Sequence, residues 1–481
     1  MGGNEPFDST HAERELERMS AQPVPVHWAT PTGEQLTLLL PPTVYPPRED
    51  TDLLLSALSR QMVNSRSTWL EIGCGSGVLS WWAAKQGCTV SACDVNPLAV
   101  ACTRALLSEH DLKGQVFEGG PGPSVDGGLS QWGGDRLYDV VVWNMPYLSS
   151  DVLVGGALGP MEEAALTDTD TSGLLSRFLS LLQDGRLLTK TGVAFLTVSS
   201  SGIGNEAEAI AWSHGLAGRI VANRTFDDGE TLSVLAVWKP YPDAFIERVE
   251  STLSTNDDVM NRGRVEGDTV LAAEQEGGRG RLGRRWETQS GAVMASWLTS
   301  QGRSVSHHTL DQLRVGEGLV RLMRVLSPHR QDAAVLKWPN DLFVRPADGR
   351  LSKAGGVLFE ATTQGSNTRT VLGIGLNTTV HHNSPWSGVQ DLGIELDATS
   401  LHHLLHAMVA SLFEDVPGLA SAMVSLPRLE AAVIEGANQF YPLLYRGIET
   451  TIIGLSDGGA VLMEGVGEAV DDPEGIEWSI V

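Results

Sequence analysis

Lysine is nearly missing from this chain. Of 481 residues only six are lysine (Lys85, Lys113, Lys190, Lys239, Lys337 and Lys353), and the other 28 of the 34 basic residues are arginine. Beyond Pro240 only Lys337 and Lys353 remain. Each is a candidate for a place that needs a compact ammonium on a flexible stem; the competing account is codon bias with two survivors. Cysteine is also scarce. All four (Cys74, Cys88, Cys93, Cys102) fall in one short segment without Cys-x-x-Cys spacing, which excludes a disulfide framework and a zinc ribbon and fits a reducing compartment. No apolar run approaches the 18 or so residues of a membrane span. The opening MGGNEPFDSTHAERELERMS lacks the basic-flanked apolar core of a signal peptide. Positive charge is short as well: 34 basic against 59 acidic residues leave a net charge of −25, which argues against broad affinity for DNA or anionic membranes. A cytoplasmic protein with neither DNA nor membrane as partner is expected.

What is present points to several domains. At roughly 100–200 residues per domain the length predicts two to four, and 42% hydrophobic with 19% charged residues suits several buried cores. Residues 1–38 read as an extension, with a short charged helix around His11–Met19 followed by Pro- and Thr-rich coil. Over 39–240, strand patterns at 68–73, 89–94, 138–144, 192–199 and 232–239 alternate with helices at 50–60, 76–86, 97–109 and 172–183. That alternation implies a parallel, doubly wound α/β sheet. The run KPYPD (239–243) marks a boundary. Over 241–440 the pattern is α+β with a mixed sheet: strands at 269–273, 292–298, 334–338, 356–360 and 369–375, helices at 308–326 and 399–415. Over 441–481, short strands around Gly turns suggest a small barrel.

The string LEIGCGSGVLS (70–80) places Gly73, Gly75 and Gly77 where a strand turns into a helix. Glycines there let backbone approach a ligand and leave helix N–H groups free. Asp94 ends the next strand, where a carboxylate can bind two ribose hydroxyls. This spacing does not separate a nicotinamide cofactor from S-adenosylmethionine. Asn144-Met145-Pro146-Tyr147 does. An Asn side chain and a Pro carbonyl at a strand end can accept hydrogen bonds from a planar NH2 group, on which a Tyr can stack.

Over about 40–240 the chain resembles the HemK/PrmC-type methyltransferases. VYPPREDTDLLLSAL (44–58), LEIGCGSG and DVNPLAV (94–100) carry the likeness together with Asn144, Pro146 and Tyr147. The resemblance implies a Rossmann-like domain that binds S-adenosylmethionine through Glu71, Gly73, Gly75, Gly77, Asp94 and Asn144. It implies Asn144 and Tyr147 as the catalytic pair, and methylation of a glutamine amide, typically in a translation release factor. The family's signature is Asn-Pro-Pro-Tyr; Met145 stands at its first proline. Without the φ restriction of that proline, a less pre-organised turn is expected.

After residue 250 three segments stand out: STND (254–257), AAEQEGGRGRLGRRW (272–286) and KWPNDLFVRPADGRLSKAGGVLFE (337–360). Arginines on a Gly-rich backbone can wrap a polyphosphate. The net acidic charge and the lack of interleaved aromatics disfavour a nucleic-acid segment. This part resembles the biotin protein ligases, through GGRGRLGRRW, KWPNDL and LGIGLNTTV (372–380). The resemblance implies an α+β biotin/lipoate ligase-like catalytic domain with a small C-terminal SH3-like β-barrel. It implies adenylation of biotin by Mg·ATP and transfer of biotin to a lysine of a biotin carboxyl carrier domain. By resemblance, Ser254, Thr255, Asn256, Gln275, Arg279, Gly280, Arg281 and Lys353 serve biotin, while Arg284, Lys337, Asn340, Asp341 and Asn377 serve ATP. Asp341 would hold Mg2+, and Lys353, Arg281 and Lys337 would act on the reacting phosphate.

The pair His402 and His406, four apart on a helix, has metal-ligand spacing, but no HExxH pattern or third ligand accompanies it, and a core role is expected. The chain thus reads as a methyltransferase joined to a biotin ligase. The alternative is a ligase carrying a decayed methyltransferase-like domain that binds a partner.

Overall fold

The computed structural model describes residues 22–60, 66–121, 129–134, 136–146, 148–149, 167–168, 173–286, 289, 291–302, 308–347, 349–380 and 384–480. Contacts divide the chain into two compact units, one of Met1–Lys239 with Val416–Ala420 and one of Pro240–Asp415 with Ser421–Val481. Among the described residues no helix is long and apolar enough to cross a membrane.

The first unit opens with an antiparallel hairpin, β1 (Val24–Ala29) and β2 (Gln35–Leu40). Coil was expected there. The alternation of Leu36, Leu38 and Leu40 inward with exposed partners between them makes a half-buried strand despite the flanking prolines. The helix expected around His11–Met19 lies outside the described residues. The main sheet holds β3 (Thr68–Ile72), β4 (Thr89–Asp94), β5 (Gly114–Glu118), β6 (Tyr138–Trp143), β9 (Leu188–Ser199), β10 (Ala217–Thr225) and β11 (Thr231–Trp238), in the order β10-β11-β9-β6-β3-β4-β5. The two-residue strands β7 (Leu148–Ser149) and β8 (Thr167–Asp168) pair with each other.

Six of the seven main strands run in one direction, with β11 alone opposed, and helices Glu49–Arg60, Val78–Lys85, Pro97–Glu109 and Leu174–Gln183 are among the connections. The sheet is not wholly parallel. β10 and β11 are joined by a turn at 226–230 too short for a crossover, so they pair antiparallel, and β11 is antiparallel to β9. One core gathers Trp132, Tyr138, Trp143, Met145, Phe178 and the leucines of Leu174–Gln183.

In the second unit, β12 (Ile246–Thr252), β13 (Thr269–Gln275), β14 (Val293–Gln301), β15 (Ala334–Lys337), β16 (Asp341–Val344), β17 (Ser352–Gln364) and β18 (Asn367–Leu376) form a sheet of order β12-β13-β14-β18-β17-β16-β15. Only β12 and β13 are parallel, so the sheet is mixed. Helices Thr255–Arg262, His308–Leu326 and Ala398–Phe413 pack on it.

Among the described residues the C-terminal strands lie in open sheets, which do not show the small barrel expected there. β19 (Phe440–Tyr445), β20 (Ile448–Thr450) and β23 (Ile476–Ile480) make one open sheet, and β21 (Ile452–Leu455) pairs with β22 (Val461–Met463) in another. These strands are short, and register breaks interrupt two of their three pairings.

Candidate active sites

In the first unit the strand β3 ends at Ile72 and the chain turns through Gly73, Gly75 and Gly77, whose φ values are +65°, +49° and +81°. All three lie in the left-handed region that side chains rarely adopt. At Gly77 space is also decisive, since a Cβ would fall 2.7 Å from Thr103 Oγ1. Asp94, at the end of β4, ties the loop down: Gly75 N–H donates to Oδ2 at 2.8 Å and Asn96 N–H to Oδ1 at 2.8 Å. Burial pushes the Asp94 carboxyl up and these backbone donors pull it back. Val95 N–H is a third such donor, which leaves the carboxylate acceptor capacity for a ligand hydroxyl.

Glu71 is buried within β3 and accepts from the Ser80 hydroxyl. Burial pushes its carboxyl up to about 8, against the Ser80 hydrogen bond, so it carries its proton at neutral pH.

Asn144 follows β6, whose Trp143 pairs with Ile72 just before the glycine turn. It is half-buried, and its Oδ1 accepts from the Thr197 hydroxyl at 2.7 Å. Met145 N–H donates to the same hydroxyl at 3.0 Å. The Met145 side chain is packed in the core, and its N–H, which a proline would lack, ties the turn to β9. Tyr147 lies outside the described residues.

In the second unit the ligase candidates line one cavity of about 530 Å3: Ser254, Thr255, Asn256, Gln275, Arg279, Gly280, Arg281, Arg284, Lys337, Asn340, Asp341, Lys353 and Asn377. They come from five separated stretches of sequence. Ser254 caps the helix Thr255–Arg262, accepting from Asp257 N–H at 3.3 Å. Thr255 donates from both N–H and Oγ1 to Gln275 Oε1 at 3.0 Å. Asn256 Nδ2 donates to Glu360 at 2.6 Å, and Ser296 Oγ lies 2.5 Å from its Oδ1. Gly373 and Gly375, alternate residues of β18, leave the room: a Cβ at 373 would collide with Asn256, and one at 375 would fall 2.6 Å from the Trp286 ring.

The Gly-Arg loop takes a hairpin-like path, with Arg279 bridged to Arg285, a single 3-10 turn at Arg281–Gly283, and Trp286 N–H donating to Gly278 O at 2.9 Å. Arg279 forms a two-pronged pair with Asp257, at 2.5 and 3.1 Å, which raises its pKa. Arg284 pairs with Glu474. Burial lowers the pKa of Arg281, against the pull of Asp341, Asp472 and Glu474. Lys353 Nζ sits 2.6 Å from Asp341 Oδ1 and over the Trp286 ring. The Lys337 ammonium lies 5.1 Å from the Trp478 ring centroid and 5.6 Å from that of Phe343, and burial lowers its pKa, with Asp341 opposing. Asn340 Nδ2 donates to Val357 O at 2.7 Å, and Asn377 Nδ2 to Ser387 O at 3.1 Å. Asn377 Oδ1 and Trp286 Nε1 are buried without a partner, an acceptor and a donor that a ligand can satisfy.

Sequence reasoning did not single out Glu360, Ser296, Thr197, Glu474 or Trp478. Glu360 closes the matched string KAGGVLFE; the others carry no local signal. His402 and His406 prove to be core residues. His402 stacks on Trp297 with centroids 5.4 Å apart, and His406 Nδ1 accepts from Trp297 Nε1 at 3.0 Å. Among the described residues no group of three or more His, Cys, Asp or Glu could hold a metal.

The two units define a chain with two nucleotide-type sites, a glycine loop backed by a strand-end Asp and a cationic cleft with a buried polar end. Comparison with known proteins agrees. Residues 47–161 match the methyltransferase small domain and residues 245–377 the biotin/lipoate A/B protein ligase family. The bifunctional ligase/repressor BirA of Salmonella typhimurium is 30% identical over 44% of this chain and 67% of its own length. Human methyltransferase HEMK2 is 30% identical over 41% of this chain and 90% of its own. A putative protein N5-glutamine methyltransferase of Methanocaldococcus jannaschii is 30% identical over 43% of this chain and 97% of its own. The chain spans about two thirds of the enterobacterial ligases it matches, 66% and 67%, and 31% of the human biotin–protein ligase. This protein belongs to the biotin protein ligases through its second unit and to the HemK-type methyltransferases through its first.

Proposed function

We propose that the second unit makes biotinyl-5′-AMP from biotin and ATP and passes the biotin to a lysine of a biotin carboxyl carrier domain. The first unit, in this reading, transfers a methyl group to a glutamine amide nitrogen, with a translation release factor as acceptor. The observation that carries it is the single cavity drawing five separated segments together around Lys353.

A carboxylate oxygen of biotin attacks the α-phosphorus of ATP, and the bond to pyrophosphate breaks. Ser254, Thr255, Asn256 and Gln275 hold the biotin head, and Arg279, Gly280 and Arg281 cover the carboxylate end, excluding water from a hydrolysable anhydride. Lys353 supplies a point charge where negative charge grows, aided by Arg281 and Lys337. Arg284 takes phosphate, and Asn340 and Asn377 take the nucleotide, the orphaned Asn377 Oδ1 accepting an N–H. Asp341 would hold the Mg2+ that accompanies ATP, a single carboxylate suiting an ion that keeps waters and phosphate oxygens as its other ligands. The carrier lysine then attacks the acyl carbonyl as the free amine, and AMP leaves.

In the first unit S-adenosylmethionine, when bound, supplies the methyl group. The glycine turn and Asp94 fit its amino-acid and ribose ends, with Glu71 beneath them. Asn144 Oδ1 and the Pro146 carbonyl accept the N–H bonds of the acceptor amide and aim its lone pair, with Tyr147 stacked on its plane. The domain limits that go with this reading are 39–240, 241–440 and 441–481, after the 1–38 extension, in a cytoplasmic enzyme with neither DNA nor membrane as partner.

One assay tests both halves: the full chain with biotin, Mg·ATP, a purified carrier domain, a release factor and methyl-labelled S-adenosylmethionine. Biotin on a carrier lysine and label on a release-factor glutamine are expected. An unbiotinylated carrier sinks the ligase reading; an unlabelled release factor sinks the methyltransferase reading.

A further inference from the structure

We infer that Thr197 is a positioning residue for the methyl-transfer site: its hydroxyl, oriented by the Met145 N–H, fixes the carboxamide of Asn144. This rests on the methyltransferase reading of the first unit and goes beyond it, because Thr197 lies in no matched motif and far along the chain from Asn144.

The geometry gives each bond a direction. Met145 N–H can only donate, and it donates to Thr197 Oγ1 at 3.0 Å. The Thr197 hydroxyl proton is thereby turned away from Met145, toward the Asn144 side-chain oxygen 2.7 Å away. The atom opposite Thr197 is Oδ1, the acceptor end of the carboxamide, which suits the hydroxyl proton on that side. Thr197 is fully buried and Met145 is 2% exposed, so water does not compete for these groups. Thr197 sits on β9 one residue past Leu196, which pairs with Trp143 of β6, the residue before Asn144. The relay therefore joins the ends of two adjacent strands. One Oδ1 lone pair is spent on Thr197, and the other, with Nδ2, is held in a fixed direction.

This makes the departure at position 145 intelligible. A proline there would restrict Asn144 through the backbone and supply no donor. Met145 gives up that restriction and restores order through a hydrogen bond, while its side chain fills the core among Trp143, Leu175 and Phe178.

The test uses the full chain with Thr197→Val, which keeps shape and loses the hydroxyl, Thr197→Ser, which keeps the hydroxyl, and Met145→Pro. Methyl transfer to a glutamine-bearing release-factor peptide, calorimetric S-adenosylmethionine binding, and the side-chain NH2 resonances of 15N-labelled asparagine are measured. In Thr197→Val, kcat should fall about 10–100-fold, the scale of a small misplacement of a reacting group, with donor affinity unchanged. Thr197→Ser should restore most of the rate, and Met145→Pro should lower it. The Asn144 NH2 signals should be sharp in the wild type and Thr197→Ser, and averaged or doubled in Thr197→Val. An unchanged rate, or an unchanged Asn144 spectrum, in Thr197→Val overturns the relay. A wild type that binds the donor yet methylates no glutamine overturns the underlying reading instead, and the spectra then decide the relay by themselves.

Discussion

Lys353 on β17 and Asp341 at the start of β16 face each other at 2.6 Å, with the Trp286 ring beneath the same ammonium. The lysine that the proposed chemistry needs at the α-phosphate is thus held at a defined point by a carboxylate. Lys353→Ala should cut adenylate formation by about 10²–10³-fold, the scale of losing one such donor. Lys353→Arg should recover only part, because a planar fork replaces a point charge. Pyrophosphate release measured with saturating biotin reads both, and a near-normal rate in Lys353→Ala would refute the role.

The Arg279–Asp257 pair holds the Gly-Arg loop in place without ligand. Because both side chains are substantially exposed, the restraint is weak. Asp257→Asn should speed protease cleavage between Gly277 and Arg285 in the free protein, and biotin with ATP should suppress cleavage in both forms. Equal cleavage of wild type with and without ligands would show that the loop does not close.

Glu71 is protonated in the folded protein up to about pH 8, while its unfolded value is 4.5. The folded chain therefore binds more protons between these values, and stability falls as pH rises through that window, by about 1.4 kcal/mol per unit. Glu71→Gln should raise the thermal midpoint of the first unit near pH 8 and make little difference near pH 4.5. A variant less stable than wild type at pH 8 would contradict the protonated carboxyl.

His402 and His406 run the opposite way. Burial lowers them from 6.5 to about 3 and about 4, and the Trp297 N–H requires an unprotonated His406 Nδ1. Below pH 6.5 the unfolded chain takes up protons that the folded chain refuses, so stability is lost as pH falls from 6.5 toward 4. Histidine 15N spectra should show both rings neutral at pH 5.5, and the urea midpoint of the second unit should drop on acidification. Titration of either ring near 6.5 would refute this.

Much of the scaffold was legible because its signals are local. The strands Thr68–Ile72, Thr89–Asp94 and Tyr138–Trp143 are apolar runs bounded by Gly or Asn, and Asn96-Pro97 announces a capped helix that the structure shows. The hairpin of Val24–Leu40 was missed because flanking prolines and polar residues hide the alternation of Gln35–Leu40, and the strand Ala217–Thr225 because it has no alternation, buried at one end and exposed at the other. The same division holds at the sites. Ser254, Arg279, Lys337 and Lys353 stand inside recognisable strings. Their pairings are not legible: Asn256 meets Glu360 across 104 positions and Ser296 across 40. No periodicity carries such contacts. The contact that Met145 makes was hidden for a related reason, since it lies with a hydroxyl 52 residues away.

The missing side chains at Gly373 and Gly375 let two other side chains lie directly on the strand. A Cβ at 373 would collide with Asn256 Oδ1 and one at 375 would fall 2.6 Å from the Trp286 ring, so the room over each glycine is taken by the protein's own amide and indole. A methyl at 373 would push Asn256 away and leave the indole in place; a methyl at 375 would displace the indole and leave Asn256 where it is. The strand gives up cross-strand packing, and about 0.5–1 kcal/mol at each glycine, to seat them. The wall of the cleft is therefore drawn by two side chains that a bare strand holds close, rather than by the strand itself.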